Sequence, residues 1–287
     1  MNVFITYADK SFESKKKLAL KSASLVGGFD KCIGYGPNDI DSSFYHQNLS
    51  ILESKKGGGY WLWKPYFILN KLRELDEEDY LFYSDAGAFL TGSISHLIEV
   101  LQKSNQDVMG FETPLIEKQW TKSEVFEALE CDSSAFEDSN QIMASYILIK
   151  KTEKSVSFFE TFLGLATNPH YLTDSYSNSK QDNSFIQHRH DQSIFSLLYK
   201  KSGYKPFKDP SQFGLFPRSY AGYAVSSDVT DGDLHQLSNG RKFRINKYTD
   251  QYPQIIYHYR SRNPFVSYAK HFLGKLLFRL GLYNGLF

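Results

Sequence analysis

The strongest constraint on the fold is an alternation of short β-rich runs with helical apolar patterns through the first two thirds of the chain. Val3-Phe4-Ile5-Thr6-Tyr7 has a strand pattern, and residues 11–26 then carry helical spacing closed by Gly27-Gly28, with Glu13 and Lys17 placed for an i,i+4 pair. Cys32-Ile33-Gly34-Tyr35 predicts a second short strand, residues 37–43 a loop, and the stretch from Ser43 towards Lys55 a helix. Pro65 can open the next helix, because its missing N–H costs nothing in a first turn, and residues 66–75 continue it. Further strands are expected at Tyr80-Leu81-Phe82-Tyr83, at residues 108–111 and at 141–149, with helices over 152–166 and from near Asp191. This alternation predicts an α/β domain with a largely parallel sheet, whose ligands bind beyond the carboxyl ends of the strands. The polar segment 168–187 reads as a loop, and a candidate lid.

Charge balance narrows the partners. With 33 basic and 32 acidic residues among 287, the net charge is +1, which lacks the basic footprint of a nucleic-acid binder and makes any anion site local. Cys32 and Cys131 are too few for a disulfide framework and lack metal-ligand spacing, so they are expected to be packing residues in a reducing, cytoplasmic setting. The start of the chain has no basic segment followed by an apolar run and cleavage site, and no window holds about 18 consecutive apolar residues. The expectation is a soluble or peripheral protein.

Three islands concentrate chemistry. In Gly57-Gly58-Gly59-Tyr60-Trp61-Leu62-Trp63-Lys64-Pro65, two of three tryptophans stand beside a lysine. Lys64 can neutralise a phosphate or bond a sugar hydroxyl, and the indoles can face a sugar or base; equally, the indoles can be core and the lysine stem packing. Downstream, the Tyr80 to Tyr83 run delivers Asp85 onto the small-residue turn Asp85-Ala86-Gly87. There it can hold a hard cation that draws its other ligands from water and phosphate, or act as a turn residue. The second island, His188-Arg189-His190-Asp191-Gln192, leads into an apolar helix that Asp191 could cap. The third, Tyr257-His258-Tyr259-Arg260-Ser261-Arg262, ends a strand-like run with a histidine and two arginines suited to metal and phosphate. By itself it reads as a basic loop after a strand; together with Asp85 it is a candidate diphosphate–metal site.

These segments, with Thr6-Tyr7-Ala8-Asp9, Gln119-Trp120-Thr121-Lys122 and Gln141-Ile142, resemble bacterial GT-A fold glycosyltransferases of surface-polysaccharide synthesis, of the capsule and O-antigen kind. The resemblance spans most of the chain. It implies a Rossmann-type mixed sheet flanked by helices, and a catalytic domain over residues 1–262. It implies that Thr6, Tyr7 and Asp9 bind the nucleotide, with UDP expected. Lys64, Asp85, Ala86, Gly87, His190 and Arg260 would hold the donor, and Asp85 and His258 a Mn²⁺ or Mg²⁺ ion. Position 87 is glycine where the family's Asp-x-Asp motif has its second aspartate. Asp191-Gln192 is similar to the family's active-site pair, which implies transfer with retention; otherwise Asp191 would be the general base of an inverting attack. The acceptor would be a glycan or lipid-linked glycan. Two other readings stay open: a non-catalytic glycan-binding protein, and a metal-dependent hydrolase built around His188, His190 and Asp191.

Residues 263–287 form a separate tail. On a helix, Phe265, Tyr268, Ala269, Phe272, Leu273, Leu276 and Leu280 fall on one side, with Lys270, His271 and Lys275 opposite. Such a helix fits the inner face of the cytoplasmic membrane, or docks by its apolar side on its own domain.

Overall fold

The computed structural model describes residues 1–175, 179–217, 220, 232–249, 252–259 and 263–280. The strands in chain order are β1 (Asn2–Tyr7), β2 (Lys31–Tyr35), β3 (Tyr80–Ser84), β4 (Ala88–Leu90), β5 (Val108–Ile116), β6 (Asn140–Lys150), β7 (Leu234–Gln236), β8 (Lys242–Arg244) and β9 (Ile256–His258). Seven form one mixed sheet in the order β2-β1-β3-β6-β5-β8-β7, and β4 pairs with β9 beside it. Helices flank the sheet, as the sequence predicts for an α/β domain.

The expectation of a largely parallel sheet needs correction. Only β2, β1 and β3 are mutually parallel; every other named pairing among the described strands is antiparallel. The cause is β6, which runs backwards between β3 and β5, with Leu81 opposite Ile149 and Tyr83 opposite Ile147. Both faces of β6 are buried, so its apolar run carries no sign of strand direction.

Alternation along the strands divides the core in two. Ile5, Tyr83 and Ile147 join the Trp63–Glu74, Glu153–Ala166 and Asp191–Lys201 helices on one side. Phe4, Phe82 and Leu148 face the opposite side with Leu97 and Leu101 of the Ser95–Lys103 helix. Thr152 caps the Glu153–Ala166 helix by accepting from the Ser155 N–H at 3.0 Å. The region read as one helix from Ser43 is two short ones, Ser42–Gln47 and Leu49–Leu52. No described helix is long and apolar enough to cross a membrane.

Candidate active site

The site is assembled where β1 and β3 end. Gly57, Gly58 and Gly59 all have positive φ, and a Cβ at Gly57 would lie 2.4 Å from the Trp61 ring, while one at Gly59 would lie 2.9 Å from Leu52 Cα. Only glycine makes this turn without strain. It sends the two indoles in different directions. Trp63 stacks on Tyr7 with centroids 3.9 Å apart and donates Nε1–H to the Gly57 carbonyl at 3.0 Å; Trp61 stacks on His190 at 5.5 Å.

Two cavities result, and they share Trp61 and Asp85 as walls. The larger, of 540 Å³, runs past Tyr7, Asp9, Gly58 and Trp63 to Asp85, Ala86, Gly87 and His258, with Lys15 and Lys55 in its rim. The smaller, of 320 Å³, contains Lys64, Asp85, His190, Asp191 and Gln192. His258 reaches the larger cavity because β9 pairs with β4, placing His258 opposite Ala88 and Tyr259 N–H on the Gly87 carbonyl at 3.0 Å.

Lys64 joins the two cavities electrostatically. Its Nζ lies 2.5 Å from Asp191 Oδ2 and 3.5 Å from Asp85 Oδ1, which also accepts from the Tyr83 hydroxyl. Burial alone would push the ammonium towards neutrality, but Asp191 and Asp85 outweigh it and raise its pKa. Burial likewise lifts Asp191 to about 6, against the attraction of Lys64 and with added repulsion from Asp85. At neutral pH one buried cation therefore serves two carboxylates.

Further groups hold this centre in place. His190 donates Nδ1–H to the Leu172 carbonyl at 2.8 Å, and His188 Nε2–H to the Tyr171 carbonyl at 2.8 Å, assignments that follow from carbonyls being acceptors only. Burial depresses both imidazole pKa values, so both rings are neutral. Gln192 donates Nε2–H to Gln141 Oε1 at 2.9 Å; Gln141 donates Nε2–H to the buried Glu117 at 2.9 Å; Lys200 meets the other Glu117 oxygen at 2.5 Å. This chain of donors fixes both amides and leaves the Gln192 carbonyl as the free end.

The Gln119-Trp120-Thr121-Lys122 segment supports the site without lining either cavity. Gln119 binds the Gly240 carbonyl and Lys242 N–H, the Trp120 carbonyl accepts from Arg189 N–H and Ser193 Oγ–H, and Lys122 Nζ binds the Thr173 and Ser175 carbonyls. The sequence reading missed Glu117, Lys15, Lys55 and Asp174, which bonds Lys56 and Tyr60. In the sequence, Gln141 enters the site only through the family resemblance. A polar residue inside a mostly apolar strand was the available signal for it.

Of the expected site residues, Tyr7, Asp9, Lys64, Asp85, Ala86, Gly87, His190, Asp191, Gln192 and His258 all line one cavity or both. Thr6 does not. Side chains alternate along β1, so with Tyr7 in the cleft Thr6 turns to the other side, where its hydroxyl is buried without a hydrogen bond. Arg260 lies outside the described residues. The pair Asp85 and His258 offers one carboxylate and one imidazole, a set that fits a cation drawing its remaining ligands from phosphate and water. Among the described residues His188 Nδ1 and His190 Nε2 are buried without a hydrogen-bond partner, Asp174 Oδ1 lying 3.8 Å from His190 Nε2, and no three His, Cys, Asp or Glu side chains converge as a metal centre.

No protein-family model and no curated protein matches the sequence. Solved structures with a similar course of chain are glycosyltransferases. Mouse xyloside xylosyltransferase 1 aligns over 92% of this chain and 99% of its own, at 12% identity and a TM-score of 0.49. The galactosyltransferase LgtC, in complex with donor and acceptor sugar analogues, aligns over 92% and 88%, at 14% identity and a TM-score of 0.46. For GlyE of Streptococcus pneumoniae the coverage is 99% of this chain but 65% of that one, at 14% identity and a TM-score of 0.45. Likenesses at this level leave the functional reading to the geometry of the site itself.

Proposed function

We propose that this chain is a glycosyltransferase that takes a sugar from a nucleoside diphosphate, with UDP the favoured nucleotide, and delivers it to a glycan or lipid-linked glycan. The observation that carries the reading is the shared wall: Asp85 belongs to both cavities, and Lys64 ties it to Asp191 in the smaller one. A larger cleft at the ends of parallel strands suits a nucleotide, with the stacked Tyr7 and Trp63 beside it and Lys15 and Lys55 near its phosphates. The sugar then extends past Asp85 into the smaller recess, beside Asp191 and Gln192.

In this reading the bond from the anomeric carbon to the diphosphate oxygen breaks, one to the acceptor oxygen forms, and the proton of the acceptor hydroxyl passes to the departing diphosphate. The Asp191 carboxylate and the Gln192 carbonyl face the positive charge that grows on the sugar, which favours retention. Lys64 keeps Asp191 charged and oriented, and Lys15 and Lys55 receive charge arriving on the leaving diphosphate. Asp85 and His258 would hold a Mn²⁺ or Mg²⁺ ion, which would add charge neutralisation at the diphosphate. With glycine at position 87, the lysines carry more of that task than in a site with two aspartates.

The test is thermal unfolding against UDP, GDP, CMP and dTDP, each with Mn²⁺ and with EDTA. A ligand at about a hundredfold excess over Kd adds about 2.7 kcal/mol, enough to move the transition by about 5 °C or more. A UDP-selective shift that Asp85→Ala abolishes is expected. No shift with any nucleotide would overturn the reading and favour a glycan-binding or hydrolytic role.

A further inference from the structure

The C-terminal helix is docked inside out. Over Pro264–Arg279 the apolar residues gather on one face, yet Phe265, Val266, Phe272, Leu273, Leu276 and Leu280 are 48% to 74% exposed. The face against the body is the polar and aromatic one. His271 is buried with its Nε2 2.9 Å from Gln254 Oε1 and its ring 5.2 Å from that of Tyr257; Tyr268 packs on Phe89 at 5.5 Å. Gly274 is also buried. A helix that merely completed its own domain would turn the apolar stripe inward, so an outward stripe of this size calls for an occupant.

Charge identifies the occupant. After Asp250 the chain carries Arg260, Arg262, Lys270, Lys275 and Arg279 and no acidic side chain. Lys270 is exposed beside the stripe. An apolar face on a segment whose charged residues are all cations matches the acyl chains and anionic headgroups of a bilayer surface. A second copy of the chain would bring the same cations against themselves across a two-fold axis, with no carboxylate in the segment to answer them. At about 1.5 Å per residue the helix is about 24 Å long, too short to span a bilayer core of about 30 Å and suited to lying in its interface.

We infer that the outward face of the Pro264–Arg279 helix docks this protein on anionic lipid surfaces. The inference does not depend on the transferase reading, although the helix leans on the β4–β9 pair that brings His258 to the larger cavity. That arrangement would keep the site at the bilayer surface.

The experiment is co-sedimentation of the full chain with phosphatidylcholine vesicles, with and without phosphatidylglycerol, for the parent and for Phe272→Ser combined with Leu276→Ser. Both residues are exposed, so the unfolding temperature should stay unchanged. The parent should partition onto the phosphatidylglycerol vesicles, more weakly onto phosphatidylcholine alone, and the double variant should lose at least about tenfold in partitioning. Lys270→Glu should weaken only the lipid-charge-dependent part. No partitioning of the parent, or undiminished partitioning of the double variant, overturns the inference. So does a parent dimer in sedimentation velocity that the double substitution dissociates, which would assign the face to a second copy.

Discussion

Lys55 at the rim of the larger cavity is exposed, and Lys15 is half-buried with its ammonium over the exposed Phe12 ring at 4.1 Å; in the adjoining recess Lys64, Asp191, Gln192 and His190 are all buried and each is held by a named partner. Both cavities meet at Asp85, so the difference is one of construction and not of location. Contacts that only attract a flexible, hydrated ligand can stay mobile, since most of their work is long-range charge. Groups that face a transition state must already be oriented before the substrate arrives, because reorienting them during the reaction would cost what they are there to supply.

The comparison breaks first, and by the largest margin, at Asp191. Asp191→Asn should lower turnover by about 10²–10³-fold while the UDP-induced thermal shift persists, because the nucleotide lies in the other cavity. Loss of the shift together with turnover would show that the two cavities do not divide the work. The parent's turnover should rise as pH climbs through about 6, where Asp191 ionises, and the variant should lack that limb. Stability runs the other way. Because burial raises this carboxyl from 3.8 to about 6, its contribution to stability is full below the ordinary carboxylate range and is lost as pH rises through 6. Denaturant unfolding on either side of pH 6, parent against Asp191→Asn, reads this directly.

A smaller effect sharpens the claim that orientation is built in. Glu117→Gln keeps shape but can set a donor amide against Gln141 and Thr121, which both donate to the carboxylate in the parent, so Gln141 can turn over and release Gln192. About a tenfold fall in kcat with the donor KM unchanged is expected. Equal changes in both constants would mean that Glu117 only supports the fold. The smallest effect belongs to the rim: Lys55→Ala should raise the donor KM by about two- to fivefold, more at low salt, and leave kcat alone.

Much of what brings residues to the two cavities is legible in the sequence. Asp85 stands after a strand run, Asp191 at the polar onset of an apolar helical pattern, and Lys64 beside a glycine-rich aromatic segment, each a local signature of position. What local pattern cannot carry is which residues face each other. Glu117 and Gln141 are 24 positions apart and meet only because β6 returns beside β5, a pairing whose direction two buried faces conceal. Thr6 shows the same limit on a smaller scale, since one strand offers alternate residues to opposite sides and the sequence does not say which side holds the ligand.

The tail makes the division plainest. The sequence alone determined that residues 264–280 could form an amphipathic helix whose cations are unanswered by acidic neighbours, because helical periodicity and charge are properties of consecutive residues. Only the tertiary structure decided that its polar side turns inward. Gln254, Tyr257 and Phe89 offer a hydrogen bond and ring faces that match His271 and Tyr268, and the apolar stripe is left outside.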